Sequence, residues 1–254
     1  MSHRDRILDQ FTRQAVPFAT AAPIRDQAAL DRVVQAACAR PNDTVLDVGC
    51  GPGLLACAFA RVVQHATGID LTPAMLAQAR KLQKEQGLSN LTWQQGDITS
   101  LPYSDHEFSI VCCRYVLHHL EDSLTVLQEM ARVCRPGGRV VVADMAAAPE
   151  KAAALDRMER LRDPSHVRGL TLTELCHLFT LAALPEPAIQ KYRMECELED
   201  LLARSFPEPG DADRIRKIFE ESLEDDALDL AVRKKNGTIY YSYPVAILVS
   251  PKIG

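Results

Sequence analysis

This sequence of 254 residues lacks the features that mark several large classes of protein. No hydrophobic run approaches the length of a membrane-spanning helix, and the polar residues 1–6 are not typical of a signal peptide. We therefore expect a cytoplasmic protein without a membrane span. No internal repeat or low-complexity tract interrupts the chain, so we expect one folded domain rather than a repeat array.

Metal-binding and nucleic-acid-binding patterns are missing as well. The eight cysteines include no C-x-x-C pair, and the histidines include no H-x-x-x-H pair, so we predict free thiols and no metal site. The formal net charge is −5, and lysine and arginine form no basic stripe. Because phosphate contacts supply most non-specific affinity for nucleic acid, we expect no nucleic-acid partner. The hydrophobic share of 47% is enough for a sizeable α/β core.

The most informative segment present is residues 45–56, which read VLDVGCGPGLLA. A short β-branched apolar run ends in Asp47 and Val48, three alternate glycines follow, and a helical apolar pattern then begins. Glycines in such a turn allow positive φ angles and let a ligand approach the main chain. The helix that follows offers free N–H groups. This order predicts a nucleotide-type cofactor site.

The glycine spacing selects among cofactors. The dinucleotide fingerprint is G-x-G-x-x-G, whereas here Gly53 comes one position early and Leu54 occupies the usual glycine or alanine position. Asp47 would be poorly placed beside a pyrophosphate but suits a cationic group such as the amino group of S-adenosylmethionine. On these residues the sequence resembles the class I methyltransferases. A nicotinamide-dependent oxidoreductase is the less favoured alternative, since no Tyr-x-x-x-Lys pair is present.

Later segments extend the resemblance over residues 28–148. Asp70 follows Gly53 by 17 residues and ends a predicted second strand, where an acid can accept from both ribose hydroxyls. The resemblance implies that Asp97 accepts from the adenine amino group and that Ile98 packs on the ring. Within the class I methyltransferases, the sequence resembles the branch that includes the ubiquinone and menaquinone C-methyltransferases. The complete expected cofactor set is Asp47, Gly49, Cys50, Gly51, Gly53, Asp70, Leu71, Asp97, Ile98, Cys113 and Arg114.

The resemblance also narrows the methyl acceptor. In this family an Asn-Pro-Pro-Tyr type motif after the fourth strand grips a planar nitrogen, and residues 113–116 read CRYV instead. Methylation of DNA, RNA or protein glutamine is therefore disfavoured. The expected reaction transfers a methyl group from S-adenosylmethionine to a small, partly apolar acceptor and leaves S-adenosylhomocysteine. A non-catalytic sensor or scaffold that only binds the cofactor is an alternative.

Four residues are candidates for catalysis. His118 and His119 follow the fourth strand, at the sheet edge where ligands bind in open α/β sheets, although they can equally cap or pack the next helix. Arg114 can hold an anionic substrate or the cofactor carboxylate, or it can form a salt bridge with Asp144. His166 stands in a loop near the predicted lid, where the loop's own hydrogen bonds are the alternative role.

The fold class we expect is α/β: a Rossmann-like, mostly parallel sheet with an antiparallel last strand and helices on both faces. A single domain, residues 1–254, would comprise an N-terminal arm (1–25), a cofactor-binding core (26–148), lid segments (149–170 and 197–235) and the last strand (236–254). The arm either folds over the active site or is a loosely docked helix. Residues 211–232 are predicted to form one amphipathic helix, and a homodimer is possible.

Overall fold

The computed structural model describes residues 2–253 as an eight-stranded sheet surrounded by helices. The helices are α1 (His3–Thr20), α2 (Ala22–Arg25), α3 (Gln27–Ala36), α4 (Leu54–Ala60), α5 (Pro73–Glu85), α6 (Ser123–Val133), α7 (Pro149–Arg162), α8 (Leu172–Leu181), α9 (Leu198–Ser205) and α10 (Asp211–Asp225). The strands are β1 (Thr44–Val48), β2 (His65–Asp70), β3 (Leu91–Gln95), β4 (Phe108–Arg114), β5 (Cys134–Met145), β6 (Ala188–Glu197), β7 (Arg233–Lys235) and β8 (Thr238–Pro251). A 3₁₀ turn spans Leu117–His119.

The strand order is β3-β2-β1-β4-β5-β8-β6, with β7 paired to β8. Strands β1 to β5 pair in parallel, whereas β8 is antiparallel to both β5 and β6. The chain moves outward from β1 in one direction through β2 and β3, and then crosses to β4. Such a reversal opens a crevice at the carboxyl ends of β1 and β4, where ligands bind in open α/β sheets. The fold predicted from the sequence is confirmed.

Apolar side chains on both faces of the sheet form the core. Successive residues of a strand point to opposite faces, so Leu46 of β1 packs on the side of α6 and α8, while Val45 packs on the side of α3 and α4. A third cluster joins α7, α9 and α10 to β6 and β8, with Phe219 and Tyr241 fully buried at its centre. No helix within residues 2–253 has the length and apolar character needed to cross a membrane.

The N-terminal helix α1 packs against α5 on one side and α9 on the other. The side-chain amides of Gln10 and Gln14, both buried, donate to the carbonyl of Ser205 at the end of α9. Buried polar groups satisfied in this way fix the helix in position. Helix α1 is therefore firmly docked across the carboxyl edge of the sheet rather than loosely attached.

One element prediction was wrong in its extent. The predicted helix over 211–232 ends at Asp225, because Asp226 adopts the left-handed conformation with φ 48° and its carboxylate accepts the N–H groups of Leu230 and Ala231. The rest of that segment reaches β7, which forms a hairpin with β8 through Asn236 and Gly237. Asn-Gly is a strong hairpin signal. At the start of α8, Thr171 and Glu174 form a capping box.

Candidate active site

Two adjoining cavities lie at the carboxyl ends of the parallel strands. The outer cavity, of about 470 Å³, lies between the glycine loop after β1 and helix α1. The inner cavity, of about 80 Å³, continues toward α7, α9 and β8. The residues that line both cavities are Phe11, Phe18, Ile24, Tyr115 and His119. These five side chains form the passage from one cavity to the other.

The glycine loop shapes the floor of the outer cavity. The N–H groups of Gly49 and Cys50 donate to the carbonyl of Ile69, which ties the loop to the end of β2. Gly51 has φ 52° and an open side, since a Cβ there would meet nothing closer than 4.0 Å. Gly53, with φ 78°, caps α4, and a Cβ there would lie 2.5 Å from the Trp93 ring. Gly51 therefore leaves room for a ligand, whereas Gly53 serves packing and does not line the cavity.

Asp47 ends the apolar part of β1 and lies 2% exposed at the wall of the outer cavity. Its carboxylate accepts the N–H of Ala56, 3.1 Å away, and faces no lysine or arginine within 4 Å among residues 2–253. Burial raises the pKa of Asp47 to about 7, although the charge of the Arg114 guanidinium works in the opposite direction. A buried carboxyl in this state would be stabilised by a ligand that carries a positive charge.

Asp70 lies at the carboxyl end of β2, across the loop from Asp47. Its two oxygens accept the N–H groups of Gly51 and Thr72, each at 2.8 Å. Burial raises the pKa of Asp70, and the two N–H groups oppose that rise. The carboxylate therefore holds the glycine loop in place while its remaining lone pairs face the outer cavity.

Asp97 and Ile98 form the far end of the outer cavity, after β3. One oxygen of Asp97 accepts the N–H and the hydroxyl of Thr99, and the other pairs with Arg4 of helix α1. This pair is half-exposed on both sides. Helix α1 therefore reaches over the cavity and contacts the acid that the sequence assigns to adenine recognition.

Arg114, the last residue of β4, lines the outer cavity on the side of Asp47. Its guanidinium lies 4.6 Å from the centre of the Tyr115 ring, and Nη2 donates to the carbonyl of Ile24 at 2.6 Å. Nη1 is buried and has no hydrogen-bond partner within residues 2–253. A buried guanidinium N–H without a partner is costly, so Nη1 is suited to an anionic ligand group.

His118 and Asp144 form a buried pair behind the passage. The Asp144 carboxylate lies 2.6 Å from His118 Nδ1 and accepts the N–H groups of Val116 and Leu117. Burial opposes the charged forms, but the contact with Asp144 prevails and raises the pKa of His118. The raised pKa favours the protonated form of His118, and the contact with Asp144 fixes the turn after β4. Asp144 takes this partner rather than Arg114.

His119, the next residue, has a different environment. Its Nδ1 lies 3.1 Å from the hydroxyl and 3.3 Å from the carbonyl of Ser165, and the edge of the Phe11 ring packs against it. Burial lowers the pKa of His119, and the nearby charge of His118 lowers it further. His119 is therefore neutral. Of the two neighbouring histidines, only His119 lines both cavities.

Two other residues proposed from the sequence lie behind the cavity walls. His166 is buried with Nε2 2.8 Å from a carboxylate oxygen of Asp156, which also accepts the Gly169 N–H, and it lines neither cavity. Cys113 is fully buried in the core between the sheet and α6. His166 thus fixes the loop after α7, and Cys113 supports β4 from behind.

Comparison with known proteins now identifies the family. The family model of the methyltransferase domain matches residues 46–142. The chain is 34% identical to an uncharacterised methyltransferase of Bacillus subtilis, YcgJ. The alignment spans 203 residues, which is 79% of each chain. This chain belongs to the class I methyltransferases. The crystal structure of YcgJ superposes with a TM-score of 0.80 at 29% identity, over 89% of this methyltransferase and 99% of that chain.

Two further relatives place this methyltransferase within the family. A ubiquinone/menaquinone biosynthesis C-methyltransferase, UbiE of Bdellovibrio bacteriovorus, is 38% identical over 113 residues, which is 44% of this chain and 48% of UbiE. Phosphoethanolamine N-methyltransferase 2 of Haemonchus contortus, in complex with S-adenosyl-L-methionine, shares the fold with a TM-score of 0.72 at 15% identity. That comparison covers 100% of this chain and 60% of the other. That structure contains S-adenosyl-L-methionine, and the likeness at 15% identity shows a shared fold.

Sequence reasoning missed much of what lines this methyltransferase's cavities. Helix α1 supplies Ser2, His3, Arg4, Ile7, Phe11 and Phe18 to the outer cavity, and only the aromatic residues gave a signal. The inner cavity contains a buried ionic cluster in which Arg162 and Tyr243 both contact the Glu159 carboxylate. Glu159 and Arg162 are three residues apart on α7, but Tyr243 lies on β8, 84 residues from Glu159. No local pattern could bring Tyr243 to this pair.

Proposed function

We propose that this methyltransferase binds S-adenosylmethionine in the outer cavity and methylates a small molecule that reaches the passage from the inner cavity. The observation that carries the proposal is that one wall of the outer cavity holds two buried groups of opposite charge type, each without a partner. Asp47 is a buried carboxyl without a cationic partner, and Arg114 Nη1 is a buried donor without an acceptor. The methionine part of the cofactor is a zwitterion, so its ammonium group can pair with Asp47 and its carboxylate can accept from Arg114.

The remaining assignments follow from the positions of the acids along the cavity. Asp47 and the loop from Gly49 to Gly51 would hold the amino group, and Arg114 the carboxylate. Asp70, already oriented by two N–H groups, would accept from the ribose hydroxyls. Asp97 and Ile98 would take the adenine edge and face, with Leu71 beside them. Gly53 and Cys113 would act only indirectly, through the shape of the loop and strand.

The bound cofactor supplies an activated methyl group on a sulfonium. The task of the chain is then to orient the acceptor in line and to exclude water, and both follow from enclosure. Phe11, Phe18 and Ile24 of the N-terminal elements close the passage from one side, and Tyr115 closes it from the other. Four of the five side chains where the two cavities meet are apolar or aromatic and would limit the access of water there.

The acceptor proposed here is small and partly apolar. The inner cavity combines apolar residues, such as Met145 and Val245, with the charged groups of Glu159, Arg162 and Arg204. UbiE is named for C-methylation in ubiquinone and menaquinone biosynthesis, so hydroxylated aromatic rings belong in the first panel of acceptors. A cavity of about 80 Å³ favours a single ring over a long prenylated chain, unless the N-terminal helix moves.

Calorimetric titration tests this proposal directly. We expect micromolar binding of S-adenosylmethionine and S-adenosylhomocysteine to the wild-type protein, no binding of NAD, and loss of adenosyl binding in Asp70→Ala. Asp105→Ala, which removes an exposed acid away from the cavities, is the matched control and keeps the wild-type affinity. Binding of NAD in place of the adenosyl compounds would reject the proposal. Binding without formation of S-adenosylhomocysteine across wide acceptor pools would favour a sensor.

A further inference from the structure

A chain of three buried side chains leads from the loop after α7 to the passage between the cavities. The Ser165 hydroxyl lies 2.5 Å from a carboxylate oxygen of Asp163 and 3.1 Å from His119 Nδ1. All three residues are buried, at 1% exposed for Asp163, 0% for Ser165 and 7% for His119. The spacing in sequence, 46 residues between His119 and Ser165, hides this arrangement from any local motif.

The hydrogen-bond directions in this chain are fixed by elimination. Positive charge on His119, when that ring is protonated, and on Arg162 lowers the pKa of Asp163 below its usual range against the effect of burial, and hydrogen bonds from the hydroxyl and N–H of Ser165 contribute. Asp163 is therefore an ionised acceptor, and the single hydroxyl proton of Ser165 points to it. Both Ser165 oxygens near His119 then act as acceptors. His119 Nδ1 must carry the ring proton, and Nε2 must carry the lone pair.

Nε2 of His119 is the ring nitrogen that remains free to interact with a ligand in the passage. It has no hydrogen-bond partner within residues 2–253, and it is not sealed from solvent. The same ring lines both cavities, and the edge contact with Phe11 holds it from the other side. The main-chain oxygen of His119 is also fixed, since it lies 2.6 Å from Nε2 of His3. The lone pair is therefore presented at the point where cofactor and acceptor would meet.

Charges around the ring act in opposite directions. Burial and the charge that His118 carries when protonated, with 4.2 Å between the ring centres, keep His119 neutral and lower its affinity for a proton. Asp163, reached through Ser165, stabilises the positive charge once the ring gains a proton. His166, whose ring centre lies 6.4 Å from that of His119, and Arg162 are the other charged or titratable groups on the same side. His3 faces it from α1.

We propose that Asp163 and Ser165 are positioning residues that hold His119 as a neutral proton acceptor, with Nε2 directed at the methyl acceptor. This inference rests on the proposed function and deepens it, because it selects acceptors whose nucleophilic oxygen or carbon carries a proton. For a hydroxyl acceptor, the C–O bond forms as the C–S bond breaks. The hydroxyl proton passes to His119 Nε2, and the resulting imidazolium later gives it to water.

The tautomer can be measured without knowing the acceptor. Protein labelled with ¹⁵N in its histidines is examined by NMR in the complex with S-adenosylhomocysteine, and the His119→Gln variant identifies the His119 signals. We expect the wild type to show a protonated Nδ1 and an unprotonated Nε2. Ser165→Ala should bring in a measurable Nε2-protonated population, because only the longer contact to the main-chain carbonyl remains. A protonated Nε2 in the wild type, or a single unchanged tautomer in Ser165→Ala, would overturn the proposal.

Controls separate this inference from the proposed function and from misfolding. Ser222→Ala removes a buried hydroxyl that has no hydrogen-bond partner and should leave the His119 signals as in the wild type. Asp163→Asn is the second variant. Its side-chain amide can donate to the Ser165 oxygen, which frees the hydroxyl proton to turn toward His119 Nδ1, so an Nε2-protonated population should appear in this variant as well. In calorimetry, Ser165→Ala, Asp163→Asn and Ser222→Ala should all bind S-adenosylhomocysteine with the wild-type affinity. Failure of the wild type to bind S-adenosylhomocysteine would count against the proposed function, whereas the tautomer would still be tested by the same NMR spectra of the ligand-free protein.

Discussion

The outer and inner cavities are built from opposite kinds of polar group. The outer cavity is lined by Asp47 and Arg114, which have unmet charge or hydrogen-bonding capacity, and by main-chain groups of the glycine loop. In the inner cavity, Glu159 and Arg162 are ionised groups that already satisfy each other. An unpaired buried group costs stability until a ligand completes it, whereas a paired group contributes to the folded state. The outer cavity is thus organised for a ligand and the inner one for stability.

The largest effect should come from breaking the inner cluster. Glu159 is fully buried and contacts both Arg162 and Tyr243, so Glu159→Gln leaves the Arg162 charge undercompensated. We expect a loss of about 3 kcal/mol in the free energy of unfolding, measured by urea denaturation. The affinity for S-adenosylhomocysteine at temperatures where the variant is folded should be unchanged.

The matched control is an ion pair of the same i,i+3 spacing on the surface. Asp213 and Arg216 of α10 are exposed, and Asp213→Asn should change stability by less than about 1 kcal/mol. If Glu159→Gln costs no more than this control, the inner cluster is not a stabilising element and the contrast between the cavities fails.

The second prediction concerns the unpartnered donor of the outer cavity. Arg114→Met should weaken S-adenosylhomocysteine binding by about 10- to 100-fold, since a charge-assisted hydrogen bond contributes about 1.5–3 kcal/mol. Binding of 5′-methylthioadenosine, which lacks the amino-acid carboxylate, should change little. Equal weakening for both compounds would mean that Arg114 shapes the cavity through Ile24 and Tyr115 rather than by holding the carboxylate.

The third prediction is a pH dependence set by Asp47. Its pKa is raised to about 7, so the ligand-free protein holds a proton there below pH 7, whereas a cationic ligand requires the carboxylate. Binding of S-adenosylmethionine should therefore weaken as pH falls below 7, by roughly tenfold per pH unit. Calorimetry in two buffers of different ionisation enthalpy should detect close to one proton released per ligand at pH 6 and little at pH 8. Asp47→Asn should abolish the release, and release by 5′-methylthioadenosine of the same size would argue against an amino-group contact.

The smallest effect is expected at the contact between helix α1 and the far end of the outer cavity. Arg4 pairs with Asp97, but the pair is half-exposed and screened by solvent. If Asp97 accepts from adenine, Arg4→Ala frees that carboxylate, and affinity for S-adenosylhomocysteine should rise by less than about threefold. Arg13→Ala, which removes another exposed pair of α1, is the control. A tenfold fall in affinity would show that Arg4 contacts the ligand itself.

The outer cavity could be predicted from the sequence because its determinants are local. The loop from Asp47 to Gly53 is contiguous, and Asp70 and Asp97 each end a strand that hydrophobic patterns reveal. Parallel strands then bring their carboxyl ends together without any further information. The extent of α10 was predicted wrongly because the helical pattern continues past Asp225, whereas the left-handed conformation of Asp226 ends the helix there.

The inner cavity could not be predicted, for a physical reason. Its polar groups satisfy one another across long stretches of chain, as Tyr243 does with Glu159 over 84 residues. Such contacts depend on the complete packing of α7, α9 and β8 and leave no periodic trace. The two adjacent histidines show the same limit. Asp144 raises the pKa of His118, whereas burial and His118 lower that of His119, and the partners Asp144 and Ser165 both lie far away in the sequence.

The position of β8 carries a consequence for the order of folding. Strand β8 lies between β5 and β6, so β6 has no sheet neighbour until β8 has joined, although β6 comes about 40 residues earlier in the chain. The pairs β1–β2, β2–β3 and β4–β5 join consecutive strands and can assemble first. Met194 and Tyr243, which face each other across the β6–β8 pair, then arrive together. The half of the molecule that holds the cofactor is thus expected to form early, and the acceptor's half to be the last part that the folding chain completes.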